Sequence, residues 1–312
     1  MSKWINKDLF DEFQQDKVEE RETKQGGNGN RLDTVWRTPE KGTVDIPKVY
    51  EVRFLPTPKG QFYKKYFYHM FQSGENWVHV MCPKSFDFNN YCPLCSAVSG
   101  LYRGTAADKK QAYQYKRKEK FISNIFVVDD PRDAEAKDEG KKVTGEVRLY
   151  EFPGKVEIKL KEEITDKKNG LGVLIFDPSE EGYTFILKVL STKKDPKTGN
   201  VWPDYANSQF ARRSSSIGSN KEIDVIMSKT IDINEYLEDQ LKTDDEIEEI
   251  LKSEMLYDMV KDEIAKYKMP DEKEEVEDDI PDFSASIKDE KKEEKDDEDM
   301  SDAELLKELD NL

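Results

Sequence analysis

The chain has 312 residues and a formal net charge of −17, with 36% hydrophobic and 38% charged residues. That length gives room for one large or two modest domains with a real core, but a charged fraction well above the usual quarter excludes an average globule folded from end to end. No apolar run approaches the ~18 residues of a membrane-spanning helix, and the start Met1-Ser-Lys-Trp-Ile-Asn-Lys-Asp8 lacks the apolar centre of a signal peptide, so a soluble intracellular protein is expected.

Charge divides the chain. Residues 271–312 carry 20 acidic and 6 basic side chains (−14), residues 221–270 carry 15 and 7 (−8), and residues 1–220 carry 32 and 37 (+5). A mildly basic body with a strongly acidic end suggests an interaction tail on a domain of opposite sign.

In chain order, Ile5, Leu9 and Phe13 fall on one face of a helical arm that ends near Lys24, with Phe10 beside them. Gly26-Gly-Asn-Gly-Asn30 reads as a hinge. Short strands are expected at Val49–Leu55, Phe121–Val128, Val143–Phe152, Gly172–Phe176 and Tyr183–Leu190. Asp195-Pro-Lys-Thr-Gly199 is a reverse turn that sends the last of these into a hairpin. Several short strands with such turns favour a small barrel or sandwich. Thr243-Asp-Asp-Glu246 then has capping-box spacing. A helical stripe of Ile247, Ile250, Leu251, Met255, Met259, Val260 and Ile264 follows, expected to pack in the core. From Asp271 to about Asp299 there are too few apolar groups to offset ordering entropy. Ser301-Asp-Ala-Glu304 has capping-box spacing again, and Leu305, Leu306, Leu309 and Leu312 would form a short amphipathic helix suited to a partner's groove.

All three cysteines lie between Cys82 and Cys95. An odd, clustered set in a chain without a leader argues against a disulfide framework. Cys92-Pro-Leu-Cys95 can offer two thiolates to one Zn²⁺, and Cys82 supplies a third. For the fourth ligand, Trp77 to Cys82 reads as a strand on which His79 and Cys82 point apart. His69 lies on an earlier segment that a turn at Gln72-Ser-Gly-Glu75 can fold back. His69, Cys82, Cys92 and Cys95 would close a tetrahedral, structural site for one zinc. The competing reading is a Cys-x-x-Cys redox pair, which would leave Cys82 and His69 unexplained.

Aromatic residues are interleaved with basic ones around this segment: Gln61-Phe-Tyr-Lys-Lys-Tyr-Phe-Tyr-His69 upstream, then Tyr91, Tyr102, Arg103, Tyr113, Tyr115, Lys116-Arg-Lys118 and Phe121. Tyr150, Phe152, Trp202, Tyr205 and Phe210 come later, with Arg212-Arg213 behind. Exposed rings beside cations suit single-stranded nucleic acid, the rings stacking on bases and the cations meeting phosphates. Any single ring in an alternating strand is as often core, but a core strand would not also carry Lys116, Arg117 and Lys118.

These residues resemble the single-stranded DNA-binding (helix-destabilising) proteins of T-even-type bacteriophages. The likeness rests on Val52-Arg-Phe-Leu-Pro56, His69, Cys82 and Cys92-Pro-Leu-Cys95, Lys116-Arg-Lys118, Asn124-Ile-Phe-Val-Val128, Tyr150, Trp202-Pro-Asp-Tyr205 with Phe210, and the acidic, leucine-containing end Asp302–Leu312. It spans roughly residues 45–312, and the zinc spacing is its most specific element. The resemblance implies an α+β protein with a mostly β core. It implies an OB-fold barrel with an inserted zinc subdomain at about 62–120, within a DNA-binding core over 28–268 whose C-terminal part is helical. An arm at 1–27 would mediate self-association, and a disordered acidic tail at 269–312 would bind partners. By position, Arg53, Lys116, Arg117 and Lys118 would face phosphates, and Tyr102, Tyr113, Phe121, Tyr150, Trp202 and Tyr205 would line the cleft.

The expected function is cooperative, sequence-tolerant coating of single-stranded DNA in phage replication, recombination and repair, in the cytoplasm of the infected bacterial host. Partners would be a polymerase, primase or helicase loader, and no membrane. The tail would compete for the cleft when DNA is absent. No catalytic residues are expected, and no Gly-x-x-x-x-Gly-Lys loop is present. The rival is an acidic zinc-ribbon adaptor or transcription accessory factor that binds proteins only. The sequence departs from the family where a Tyr-Trp pair becomes Phe121-Ile122, where two tyrosines fall on Val78 and Asn89, and where the N-terminal Lys-Arg-Lys-Ser-Thr patch is replaced by scattered Lys3 and Lys7.

Overall fold

The computed structural model describes residues 4–5, 34–136, 142–196 and 199–268. Most of the expected arm, the hinge at 26–30 and all of 269–312, including the terminal amphipathic segment, lie outside the described residues. At the start of the arm, Ile5 is buried in the main core and the Trp4 indole donates to Asp224 (3.1 Å).

The described fold is α+β, an eight-stranded antiparallel sheet with seven α-helices among the described residues. The strands are β1 (Lys48–Leu55), β2 (Lys64–Ser73), β3 (Asn76–Met81), β4 (Lys118–Asp129), β5 (Val147–Phe152), β6 (Phe185–Ser191), β7 (Pro203–Asp204) and β8 (Gln209–Phe210). The helices are α1 (Pro93–Tyr102), α2 (Ala106–Tyr115), α3 (Gly154–Thr165), α4 (Asn220–Met227), α5 (Ile233–Glu238), α6 (Asp244–Ser253) and α7 (Tyr257–Lys268).

β4 organises the sheet because it is long enough to serve several partners. Its first half pairs with β2 (Tyr68↔Lys118, Lys64↔Ile122) and its second half with β1 (Leu55↔Asn124, Arg53↔Phe126), while β5 also pairs along it (Phe126↔Val147). β1 passes the sheet on to β6, which enters the expected hairpin with β7 (Leu190↔Asp204). Strand alternation buries Tyr50, Val52 and Phe54 of β1 in the main core. There they meet Tyr150 and Phe152 of β5, Phe185 and Leu187 of β6, and Val156, Leu160 and Ile164 of α3. A second core holds Phe71, Val80, Cys82, Cys92 and the inner faces of α1, α2, α6 and α7. No helix among the described residues is long and apolar enough to cross a membrane.

Two local expectations change. Gly172–Phe176 is a 3-10 turn, not a strand: Gly172 takes φ +58° and Val173, Ile175 and Phe176 plug the core. The stripe from Ile247 to Ile264 is broken, because Met255 sits at φ +58° between α6 and α7. The Thr243–Glu246 capping box is present at the start of α6.

Candidate metal centre and nucleic-acid interface

β2 and β3 form a tight hairpin whose turn uses Gly74 at φ +58°, the left-handed region that favours glycine. The register places His69 opposite Val80, and Cys82 leaves the end of β3 with its N–H bonded to the Phe67 carbonyl (3.0 Å). After a loop, Cys92 is the N-cap of α1, Pro93 fills its first position and Cys95 follows in its first turn. Both thiols therefore sit at a helix N-terminus, where the backbone favours thiolate.

The four donor atoms of His69, Cys82, Cys92 and Cys95 lie within 4.8 Å of one another. Cys82 Sγ is 3.7 Å from Cys95 Sγ, and His69 Nε2 is 3.5 Å from the sulfurs of both Cys92 and Cys95. A tetrahedron with metal–sulfur bonds of about 2.3 Å has edges of roughly 3.7 Å, so the donor set fits one ion. His69 Nδ1–H donates to the Tyr115 carbonyl (2.8 Å), which turns Nε2 toward the sulfurs. His79 is elsewhere, stacked on Tyr68 at 5.0 Å.

Proton affinities in the cluster are strongly displaced. Hydrogen bonds from Cys82 and Cys92 pull the Cys95 thiol far below its ordinary value, although burial opposes this. The same hydrogen bonding to Cys82 and Cys95, with burial, pushes Cys92 up. Burial works against charge on His69, yet its bonds to Cys82 and Cys95 raise it to about 9.

The cluster is held from outside by the last two helices. Tyr115, which also packs edge-on against Phe71, donates its hydroxyl to Glu254 (2.5 Å). Tyr91 stacks on Tyr267 of α7 at 4.1 Å, and Ser96 donates to Glu263.

Beside this module, cations and rings alternate. The Arg117 guanidinium lies over Phe67 (4.2 Å) and near Phe88 (5.1 Å). Lys65 is over Phe67 (5.4 Å), Lys84 over Phe88 (5.0 Å) and Lys116 over Tyr113 (4.0 Å). Phe88 is 60% and Tyr113 56% exposed. Such rings can stack on bases while the cations reach phosphates.

The expected DNA-contacting residues divide. Tyr113, Lys116 and Arg117 join the strip. Lys118 is half-buried and donates to the Met70 carbonyl (3.1 Å), and Tyr102 is half-buried against the module core. Trp202 is exposed, but on the β6–β7 side of the sheet. Tyr150, Phe121 and Tyr205 are a correction to the expected cleft: all three are buried in the main core. Strand alternation turns Tyr150 inward onto Trp36, edge-on at 5.1 Å, while Phe121 stacks on Phe152 at 5.8 Å.

Arg53 is a second correction. It is fully buried, and its guanidinium donates to the carbonyls of Asp177 (2.5 Å) and Ser215 (2.7 Å) and to the Thr184 hydroxyl (3.1 Å). Burial lowers its pKa to about 10. A Cβ on Gly182 would lie 1.7 Å from the Asp177 carbonyl oxygen and 2.4 Å from Arg53 Nη1. Gly182→Ala is therefore expected to destabilise the fold by roughly 1–3 kcal/mol, read as a lower denaturation midpoint at unchanged slope.

Lys65, Phe67, Lys84 and Phe88 are members of the strip that are not among the expected DNA contacts, although Lys65 and Phe67 belong to the aromatic-basic run. The signal lay in the aromatic-basic run 61–69, but the β2–β4 register is needed to bring Phe67 to Arg117.

A family model described as "gp32 DNA binding protein like" matches residues 50–256. No curated protein matches the chain.

Proposed function

The chain belongs to the gp32-like family of DNA-binding proteins, which are not enzymes, and we propose that it coats single-stranded DNA through the ring-and-cation strip beside its metal module. The observation that carries this is Arg117 set over Phe67 and near Phe88, with Lys65 and Lys84 over the same two rings. Stacking is largely indifferent to base identity, so binding is sequence-tolerant. The unpaired strand is stabilised by mass action, without nucleotide hydrolysis.

In this reading the ion is zinc, favoured by three sulfurs and one imidazole with no open position, and its role is structural. The β1–β4–β5–β6 core is an OB-fold barrel into which the β2–β3–α1–α2 module is inserted. The N-terminal arm supports self-association along DNA, without the family's basic patch. The tail, at −14, occupies the basic strip until DNA displaces it, then recruits a polymerase, primase or helicase loader. The setting is phage replication, recombination and repair in the cytoplasm of the infected host.

A titration of the full-length protein with dT16, followed by quenching of tryptophan and tyrosine emission, tests the reading. Binding is expected to weaken with salt at a log–log slope near −0.7 per neutralised phosphate, and a duplex of equal length is expected to bind more weakly. Failure to bind dT16 in dilute buffer would leave the protein-binding adaptor as the better reading.

A further inference from the structure

Glu254 is a half-buried carboxylate set against the metal module. It follows α6 directly, between Leu251 and Leu256 of the module core. Among the described residues Tyr115 is the one side chain bonded to it, donating its hydroxyl at 2.5 Å. Leu251 and Leu256 already seat α6 by apolar packing, so the carboxylate adds something that packing does not need.

Both partners of this contact are fixed. Met255 N–H donates to the Lys252 carbonyl (3.1 Å) and Leu256 N–H to the Leu251 carbonyl (2.8 Å), with Met255 at φ +58°. This is a Schellman motif with Glu254 as its C-cap. Tyr115 is 5% exposed, and its ring lies edge-on to Phe71 at 4.8 Å. Phe71 stands two residues beyond His69 on β2, so alternation puts the two on one face. The Tyr115 side chain is thus held between the strand that carries His69 and the end of α6.

The main chain of Tyr115 carries this restraint to the metal cluster. Tyr115 is the last residue of α2, and Lys116 leaves the helix at once with ψ 146°. The carbonyls of a last helical turn have no partner within the helix. The Tyr115 carbonyl instead accepts the Nδ1–H of His69 at 2.8 Å. With its proton held on Nδ1, the imidazole offers its Nε2 lone pair to a metal, on the side of Cys92 and Cys95 at 3.5 Å. A partner that fixes the tautomer and orientation of a ligating imidazole strengthens metal binding. Glu254, Tyr115 and His69 therefore form an unbroken chain of contacts from α6 to the cluster.

We propose that Glu254 is a positioning residue for the metal ligand His69, acting through the hydroxyl and then the carbonyl of Tyr115. The proposal rests on the reading of His69, Cys82, Cys92 and Cys95 as a zinc site.

The test measures Zn²⁺ affinity of the full-length protein by competition with a chromophoric chelator, and the visible absorption of Co²⁺ bound in place of Zn²⁺. Glu254→Ala and Tyr115→Phe are each expected to weaken Zn²⁺ binding by about 10-fold, the low end for outer-shell partners, and to shift the Co²⁺ bands. Glu254→Gln keeps an acceptor for the hydroxyl and should restore most of the affinity. In the His69→Cys background there is no ring to orient, so both losses should disappear. Equal losses in the two backgrounds would reduce Glu254 to a packing contact and overturn the inference, as would wild-type Zn²⁺ affinity in Glu254→Ala. Tyr267→Leu supplies a second control should His69→Cys fail to fold. It removes the stack of Tyr267 on Tyr91, another contact of these helices with the module, and should leave the Co²⁺ bands in place. The same band shift in Tyr267→Leu as in Glu254→Ala would also overturn the inference. A wild type that binds no Zn²⁺ removes the metal reading itself.

Discussion

Removing the metal is expected to dissolve one of the two large cores and spare the other. Cys82 and Cys92 are members of the buried cluster formed with Phe71, Val80 and the inner faces of α1, α2, α6 and α7. His69 is fully buried, and its ring ties the cluster to the Tyr115 carbonyl. Structural zinc contributes about 10–16 kcal/mol in small zinc-binding peptides, as much as the whole stability of an ordinary domain. Chelation should therefore release amide protection in residues 64–115 and 244–268, while Tyr50, Val52, Leu187 and their neighbours stay protected. Hydrogen exchange with parallel metal analysis reads this directly. Cys92→Ser should behave like the chelated protein. His69→Cys keeps four donors and should retain metal. Equal exchange in the presence and absence of metal would show that the cluster folds without an ion.

The second large effect is on DNA. Phe88 is exposed, so Phe88→Ala should leave stability nearly unchanged and weaken dT16 binding by about 1–3 kcal/mol, the range measured for one stacked base. Arg117→Ala removes a phosphate partner and the cation lying over Phe67, so both affinity and salt slope should fall. Arg117→Lys distinguishes the two contributions. It keeps the charge but loses the planar group that packs on rings, so the slope should persist while affinity drops. Wild-type affinity in Arg117→Lys would mean that the guanidinium plane has no part in binding.

The clustering of His69, Cys82, Cys92 and Cys95 was readable because its signals are local. Clustered cysteines and the alternation of the Trp77–Cys82 strand separate His79 from His69, and the Gly74 turn brings His69 back. Strands with clear alternation or a long apolar run, such as β1, β4 and β6, were equally legible. Other features depend on contacts distant in sequence. Arg53 sits on the face of β1 opposite Tyr50, Val52 and Phe54, which pattern alone reads as surface. Segments around Asp177 and Ser215, more than 120 residues away, cover it. Phe121 and Tyr150 read as cleft residues until register turns them into the core, and the same register brings Phe67 to Arg117. The five-residue run Gly172–Phe176 satisfies strand and turn patterns alike, and burial of Val173, Ile175 and Phe176 decides for the turn. Helix α2 has little apolar periodicity; its Thr105–Asp108 capping box is the clearest local sign of it.

Exposed Phe88 and half-buried Phe67 are expected to stack on the bases of an unpaired strand beside the metal module. The most direct measurement compares dT16 with an abasic oligomer of the same length, which keeps every phosphate and removes every base. Wild type should bind the abasic strand more weakly by about 1–3 kcal/mol for each lost stack, and that difference should shrink in the Phe67→Ala/Phe88→Ala variant while the salt slope is retained. Equal affinity of the wild-type protein for the two oligomers would contradict the account.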